Sequence, residues 1–147
     1  VFCDCVSALK AAKLIPFLDQ ITCLKANMNE ARVLTSLGQD AKTDVLLRAL
    51  RPTGVAQIIM SDGANGFVAV TQSDMVTKIP DSTQAVNVSG AGDALLAGFV
   101  YGWAHEMAWA ARVDFAHAVA QFTLSSRKAV HPDITAAYIH AHYAPVS

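Results

Sequence analysis

Short apolar segments that favour β-strands alternate with helical patterns along the first half of the chain, and this alternation constrains the fold most. Strands are predicted at 1–6, 21–24, 55–60, 67–70 and 75–79. Helices are predicted between and after them, at 8–14, 27–37, 41–50, 91–104, 110–128 and 135–142. Such an alternation indicates an α/β layer fold with a partly parallel sheet. Ligand sites in these folds lie where strands end and helices begin.

A glycine-rich turn precedes the longest apolar run of the sequence and reads Gly90-Ala91-Gly92-Asp93. Small residues let backbone amides approach a ligand, and the free N–H groups of a helix start attract anions. A carboxylate beside an anion site can accept the proton of an attacking hydroxyl group, so the turn fits a phosphoryl-transfer site. A tight turn, with Asp93 complementing the helix dipole, explains the same residues without a ligand.

The composition excludes several classes of protein. With 147 residues, 53% hydrophobic and 16% charged, the chain has the material for one compact domain. A net charge of −1 gives no electrostatic reason to bind nucleic acid or a membrane surface. No apolar run approaches the ~20 residues of a membrane helix. Cys3, Cys5 and Cys23 are predicted to be reduced core thiols, which indicates a reducing, cytoplasmic compartment.

The segments at residues 27–30, 61–66 and 90–93 resemble motifs of one family and occur in the same order as in that family. The sequence resembles the C-terminal half of the PfkB-type, ribokinase-like kinases, which phosphorylate sugars and nucleosides with ATP. The resemblance spans nearly all of residues 1–147 and implies a three-layer α/β sandwich with a mostly parallel central sheet. We therefore expect 1–147 to be a single partial domain, the nucleotide-binding half of such a kinase. The N-terminal substrate-binding and lid half is then missing from this chain.

The family signature ends in G-A-G-D, which Gly90, Ala91, Gly92 and Asp93 match. The resemblance implies that Asp93 is the catalytic base and that the amides of the preceding small residues form an anion hole for the transferring phosphate. The physical chemistry agrees, because phosphoryl transfer needs positioning and charge stabilisation more than covalent chemistry.

Two further segments resemble family motifs for ATP and Mg²⁺. Asn27 and Glu30 match an N-x-x-E motif and are implied in the network of Mg²⁺, water and phosphate. The same pair also fits a capping box that merely starts a helix. Ser61 and Gly63 resemble the strand-end turn that contacts nucleotide phosphate and ribose, although a plain hairpin turn explains the glycine equally well.

The second half of the sequence carries one more nucleotide contact and one departure from the family. His117 resembles the wall of the adenine pocket, while a packed core histidine is the structural alternative. Asn87 stands where the signature usually opens with aspartate. Because that region helps to hold a monovalent cation in many members, Asn87 and Ser89 are candidates for a K⁺ site, and cation dependence stays open.

The resemblance implies an ATP- and Mg²⁺-dependent kinase that acts on a primary hydroxyl of a small nucleoside or sugar. The segment from Phe2 to Lys13 resembles the pseudouridine kinases, which makes the 5′-hydroxyl of pseudouridine the expected acceptor. A homodimer formed through the missing lid is also implied. One alternative is a non-catalytic nucleotide-binding module or a fragment of a glycosidase–kinase fusion. Another is a different α/β enzyme, although two common phosphate motifs, G-x-x-x-x-G-K-[ST] and G-x-G-x-x-G after a strand, are absent.

Overall fold

The computed structural model describes residues 1–81, 90–128, 131 and 134–142. The chain divides into two compact units, Val1–Ile79 and Pro80–Ser147. The first unit holds a β-sheet with its helices, and the second is helical in the part that the structure describes. The candidate site residues are distributed over both units, so each unit is described by itself.

The first unit is built on a five-stranded sheet with the spatial order β1-β2-β3-β4-β5. Its first three strands run parallel to one another, while β4 and β5 are antiparallel to their neighbours, so the sheet is mixed. Chain connections through helices join the parallel strands, as parallel pairing requires. The strands are β1 Phe2–Asp4, β2 Cys23–Asn27, β3 Gln57–Ser61, β4 Phe67–Val70 and β5 Met75–Lys78.

Helices pack on one face of this sheet and enclose an apolar core. Leu24 of β2 and Ile58 and Met60 of β3 lie in this core with Leu46 and Leu50 from the helices. The alternation of strand side chains puts these strand residues on the same face, which is why the helices can bury them together. The α-helices of the unit are α1 Ala8–Ala11, α2 Met28–Thr35 and α3 Thr43–Leu50, and 3₁₀ segments cover Ala12–Gln20, Arg51–Thr53 and Gly63–Asn65.

Two long helices, α4 (Ala91–Ala104) and α5 (Trp109–Leu124), and the shorter α6 (Ala136–His142) form the described part of the second unit. The two long helices pack closely, because a Cβ on Gly98 would lie 2.5 Å from the Cα of Ala116. Further along α4, a Cβ on Gly102 would lie 2.7 Å from Cγ of Arg112. These two pairs fix an antiparallel register between α4 and α5.

The third helix of this unit packs through aromatic and apolar side chains. Ile139 of α6 is buried in a cluster with Phe115 and Phe122 of α5. The ring of His140 lies 5.0 Å from the ring of Phe115. None of the helices in the described ranges is long and apolar enough to span a lipid bilayer.

The structure corrects several of the predicted boundaries. Strand β1 ends at Asp4 and not at residue 6, and α5 ends at Leu124 and not at residue 128. The first helix stops at Ala11 and continues as a 3₁₀ segment that contains Pro16, since proline removes a helical N–H donor. The second helix ends at Thr35, because Ser36 adopts the left-handed conformation (φ 56°) in place of the predicted Gly38. Strand β2 covers Cys23–Asn27, two to three residues later than predicted.

Candidate active site

The glycine turn forms the N-terminus of α4, as the sequence predicted. Gly90 is the N-cap residue in the left-handed conformation, with φ 81° and ψ −8°. Its carbonyl oxygen accepts the first helical hydrogen bond from the N–H of Ala94 (2.8 Å). No side chain of the described residues caps this end of the helix. The N–H groups of residues 91–93 are therefore free of helical acceptors and are available to an anion.

Asp93 lies in the first turn of α4 with its side chain exposed. An exposed carboxylate beside open backbone amides can reach both a bound phosphate and a hydroxyl group placed next to it. The tight-turn alternative accounts for the left-handed glycine, but it does not require the carboxylate to be accessible. The arrangement is therefore competent for the chemistry that the sequence predicted.

His117 lies half-buried on α5. The register between the two helices places it level with Ala97 of α4, about one helical turn along from Asp93. The same register places Gln121 level with Asp93. The side chain of Gln121 is only 6% exposed, and among the described residues its Oε1 accepts no hydrogen bond. Sequence reasoning missed Gln121, although a glutamine in an alanine-rich buried helix is a signal for it.

The first unit brings four of the predicted site residues to one edge of the sheet. Asn27 and Ser61 are the last residues of the parallel strands β2 and β3, and they pair directly across the sheet. Glu30 lies in the first turn of α2, which follows β2 directly, and Gly63 belongs to the turn after β3. The structure therefore groups these residues at the carboxyl ends of parallel strands, where α/β proteins bind ligands.

The Asn27–Glu30 pair forms a complete capping box. Oδ1 of Asn27 accepts a hydrogen bond from the N–H of Glu30 (3.0 Å), and the N–H of Asn27 donates to Oε2 of Glu30 (2.8 Å). Glu30 is only 3% exposed, which fixes its carboxylate in one orientation. The predicted capping box is thus confirmed. It places the buried carboxylate of Glu30 at the end of the sheet where β2 finishes.

The turn after β3 is open on one side and closed on the other. Gly63 has φ 53°, and a Cβ at this position would meet nothing within 4 Å, so the turn is accessible there. Gly66 has no such freedom, because a Cβ would collide with the carbonyl oxygen of Lys78. Gly66 is therefore required by packing against β5, whereas Gly63 leaves room for a ligand.

A buried ion pair between Lys25 of β2 and Asp4 of β1 was not expected from the sequence. Nζ of Lys25 lies 2.9 Å from Oδ2 of Asp4, and the two side chains are only 10% and 16% exposed. They meet because Asp4 of β1 and Lys25 of β2 pair across the sheet and point to the same face. The signal in the sequence is a lysine inside an otherwise apolar strand, which demands a buried partner.

The pKa of the Cys5 thiol depends mainly on burial and less on the charges nearby. Burial raises the pKa of the Cys5 thiol to about 12, with smaller upward contributions from Glu30, Cys3 and Asp4 and an opposing one from Lys25. All three cysteines are free thiols, as predicted. Cys5 and Cys23 are buried, while Cys3 is half-buried.

The raised pKa of Cys5 predicts a loss of stability at alkaline pH. Below an unfolded thiol pKa of about 8.5, Cys5 keeps its proton in both states, and its contribution is fully present. Between that pH and about 12, the Cys5 thiol ionises only in the unfolded state, so the free energy of unfolding falls as the pH rises. Urea unfolding at several pH values should give a flatter decline for Cys5→Ala than for the wild type. Equal slopes would contradict this assignment.

Two of the predicted positions cannot be compared with the structure. Asn87 and Ser89, the candidate K⁺ ligands, lie outside the described residues. Within the described ranges, no group of three or more His, Cys, Asp or Glu side chains converges on a metal site. Among the predicted site residues that the structure describes, Glu30 is a carboxylate that fits Mg²⁺, since this ion commonly binds one or two carboxylates together with substrate phosphates and water.

Known proteins share both the sequence and the fold of this chain. The pfkB family carbohydrate kinase model matches residues 1–136. The chain is 32% identical over 142 residues to pseudouridine kinase of Escherichia coli K12, which covers 95% of this chain and 45% of that protein. It is 33% identical over 99 residues to 1-phosphofructokinase of the same organism, with coverages of 66% and 29%. A carbohydrate kinase structure from Agrobacterium tumefaciens superposes with a TM-score of 0.75 at 27% identity, covering 94% of this chain and 43% of that one.

The α/β class and the ribokinase-like fold predicted from the sequence are confirmed by these matches. The chain belongs to the pfkB family of carbohydrate kinases. It spans less than half the length of the E. coli pseudouridine kinase that it matches.

Proposed function

We propose that this chain is the C-terminal, nucleotide-binding half of a kinase that transfers the γ-phosphate of ATP to a primary hydroxyl group of a nucleoside or sugar. The observation that carries the proposal is the open N-terminus of α4, where Gly90 leaves backbone amides free and Asp93 is exposed in the first turn. Membership of the pfkB family supports the reaction class.

Asp93 orients the acceptor hydroxyl and takes its proton as the bond to phosphorus forms. The amides of residues 90–93 donate to the oxygens of the transferring phosphoryl group, and the N-terminal end of the helix dipole favours their negative charge. Because phosphoryl transfer depends on position and charge, these two roles account for the chemical step.

Mg²⁺ neutralises phosphate charge when it is bound, and Glu30 is the residue of this chain that fits it. Asn27 fixes Glu30 through the capping box and lies at the end of β2. Ser61 and Gly63, at the end of β3, contact the phosphate and ribose of ATP. His117 forms a wall of the adenine pocket.

Replacement of Glu30 by glutamine separates the structural role from the metal role. Glutamine can keep both hydrogen bonds of the capping box, so the melting temperature should stay near that of the wild type. Without the charge, we expect kcat to fall about 100-fold and the Mg²⁺ concentration for half-maximal rate to rise. Kinetics of the full-length protein, with the upstream half that its relatives carry, would be measured against Mg²⁺ concentration. Unchanged kinetics would show that Glu30 only caps the helix and does not bind Mg²⁺.

The acceptor that we propose is pseudouridine. The support is the 32% identity to pseudouridine kinase across 95% of this chain, whereas the match to 1-phosphofructokinase covers 66%. ADP release by the full-length protein would be compared with pseudouridine, uridine, ribose, adenosine and fructose 1-phosphate as acceptors. We expect turnover with pseudouridine. Turnover with another acceptor would keep the reaction and overturn the substrate, and ATP binding without any turnover would favour a nucleotide-binding module.

A further inference from the structure

The turn after β3 contains an asparagine followed by a glycine, a pair to which the proposed function gives no role. The side-chain amide of asparagine is chemically labile. It is most labile where the next residue is glycine, because no side chain then obstructs the backbone nitrogen that attacks it. Of the four asparagines in the sequence, only Asn65 precedes a glycine, Gly66. Asn65 is exposed at the end of the 3₁₀ segment Gly63–Asn65, between β3 and β4.

Hydrogen bonds within the turn protect this amide while the turn is closed. Nδ2 of Asn65 donates to Oδ2 of Asp62 (2.9 Å), and the N–H of Asn65 donates to the carbonyl of Asp62 (3.0 Å). The N–H of Gly66, the potential attacking group, is buried and donates to the carbonyl of Gly63 (3.1 Å). A reaction between the amide and this nitrogen therefore requires the turn to open.

The turn has the features of a segment that opens without unfolding of the sheet. Residues 62–65 are all exposed, and a Cβ on Gly63 would meet nothing within 4 Å. Local opening costs little free energy where a segment buries few apolar contacts and exposes its backbone hydrogen bonds to water. Opening of the turn breaks only the short-range bonds around Asp62 and Gly63, and it frees the nitrogen of Gly66.

We propose that Asn65 is a site of spontaneous deamidation, and that the reaction impairs the turn that we assign to ATP. In the opened turn the backbone nitrogen of Gly66 gives up its proton and forms a bond to Cγ of Asn65. The bond from Cγ to Nδ2 breaks, and Nδ2 takes up a proton and leaves as ammonia. A water molecule then opens the five-membered succinimide ring to aspartate or isoaspartate. In total, an amide and a water molecule become a carboxylate and an ammonium ion.

The reaction changes the charge of the turn where ATP is proposed to bind. The new carboxylate cannot donate to Asp62 as Nδ2 does, and the two negative side chains repel each other. Gly63 lies between them in the chain, and a phosphate there would meet both negative charges. The effect on ATP rests on the proposed function, which assigns Gly63 to the nucleotide. Conversely, ATP bound to the closed turn should slow the reaction, because a ligand stabilises the state that it binds.

Peptide mapping by mass spectrometry tests the site itself in the full-length protein. The folded protein is kept at mildly alkaline pH and digested at intervals. We expect loss of the amide at position 65, with aspartate and isoaspartate as products. Asn29 is the internal control, because it is also exposed but precedes Glu30, and its Oδ1 accepts a hydrogen bond from Arg32 (2.9 Å). Asn29 should keep its amide over the same time. A parallel incubation with ATP and Mg²⁺ should slow the loss at position 65.

Asn65→Asp reproduces the product, and calorimetry measures its effect on ATP binding without any need for turnover. We expect the Kd for ATP to rise about fivefold, with a melting temperature near that of the wild type. Gln72→Glu is the matched control for added charge. Gln72 is exposed in the turn after β4, at the opposite edge of the sheet, because the end of β4 pairs with the beginning of β3. Gln72→Glu should leave the Kd for ATP unchanged.

The outcomes distinguish this inference from the proposed function. An intact amide at position 65, or a loss no faster than at Asn29, would overturn the deamidation site and leave the kinase proposal standing. A loss that ATP does not slow, with an unchanged Kd for Asn65→Asp, would overturn the link to ATP and the proposed role of Gly63, but not that of Asp93. A wild-type protein that does not bind ATP would overturn the proposed function, and the peptide map would still decide whether Asn65 reacts.

Discussion

Replacement of Asp93 by asparagine is expected to lower kcat of the full-length protein about 1,000-fold while ATP still binds. Asparagine keeps the size and polarity of the side chain, but it cannot take the proton of the acceptor hydroxyl, and general-base catalysis is worth about 100- to 10,000-fold. The open amides at the N-terminus of α4 are unaffected, so phosphate binding should persist. Single-turnover kinetics and ATP titration by calorimetry would measure the two effects separately.

Asp44→Asn is the matched control for the effect of helix charge. Asp44 also lies in the first turn of an α-helix, α3, so its replacement removes a similar favourable interaction with the helix dipole. We expect a small loss of stability, of about 0.3–1 kcal/mol, and an unchanged kcat. If Asp93→Asn behaved like this control, Asp93 would be a helix-capping charge and not a base.

Replacement of Gly98 by alanine is expected to lower the free energy of unfolding by about 2 kcal/mol. The new Cβ would lie 2.5 Å from the Cα of Ala116, so the backbones of α4 and α5 would have to separate. Overpacking of this kind costs about 1–3 kcal/mol, against a gain of up to about 1 kcal/mol in helix propensity. Urea unfolding of the full-length protein would measure the change.

Gly102→Ala is the matched control in the same helix. Its Cβ would approach Cγ of Arg112 at 2.7 Å, and this long side chain can move where the backbone of Ala116 cannot. We expect a stability within about 1 kcal/mol of the wild type. If both variants lost the same free energy of unfolding, the close approach of α4 and α5 would not be the reason that position 98 requires glycine.

Local chemistry made the helix starts predictable. Asn27 and Glu30 carry the capping-box signature, and α2 begins directly after Asn27. Gly90 precedes α4, which starts at Ala91 as predicted. In these cases the residues that start the helix are also the residues of the candidate site, so one local pattern located both.

Tertiary pairing set what the sequence pattern could not predict. Strand β2 extends through Lys25 because Asp4 of the neighbouring strand neutralises its charge, and that partner is 21 residues away. The left-handed conformation of Val6 depends on the same carboxylate. The end of α2 at Ser36 is a further case, since glycine is the usual residue for that conformation and Gly38 lies two positions later.

In the reaction that we propose, phosphate passes from ATP to an acceptor hydroxyl beside Asp93. The most direct measurement follows the γ-phosphate of radiolabelled ATP in the full-length protein with pseudouridine and Mg²⁺, for the wild type and Asp93→Asn. We expect label in pseudouridine 5′-phosphate with the wild type and at least about 100-fold less with the variant. Label that remains in ATP, or that appears only as inorganic phosphate, would contradict it.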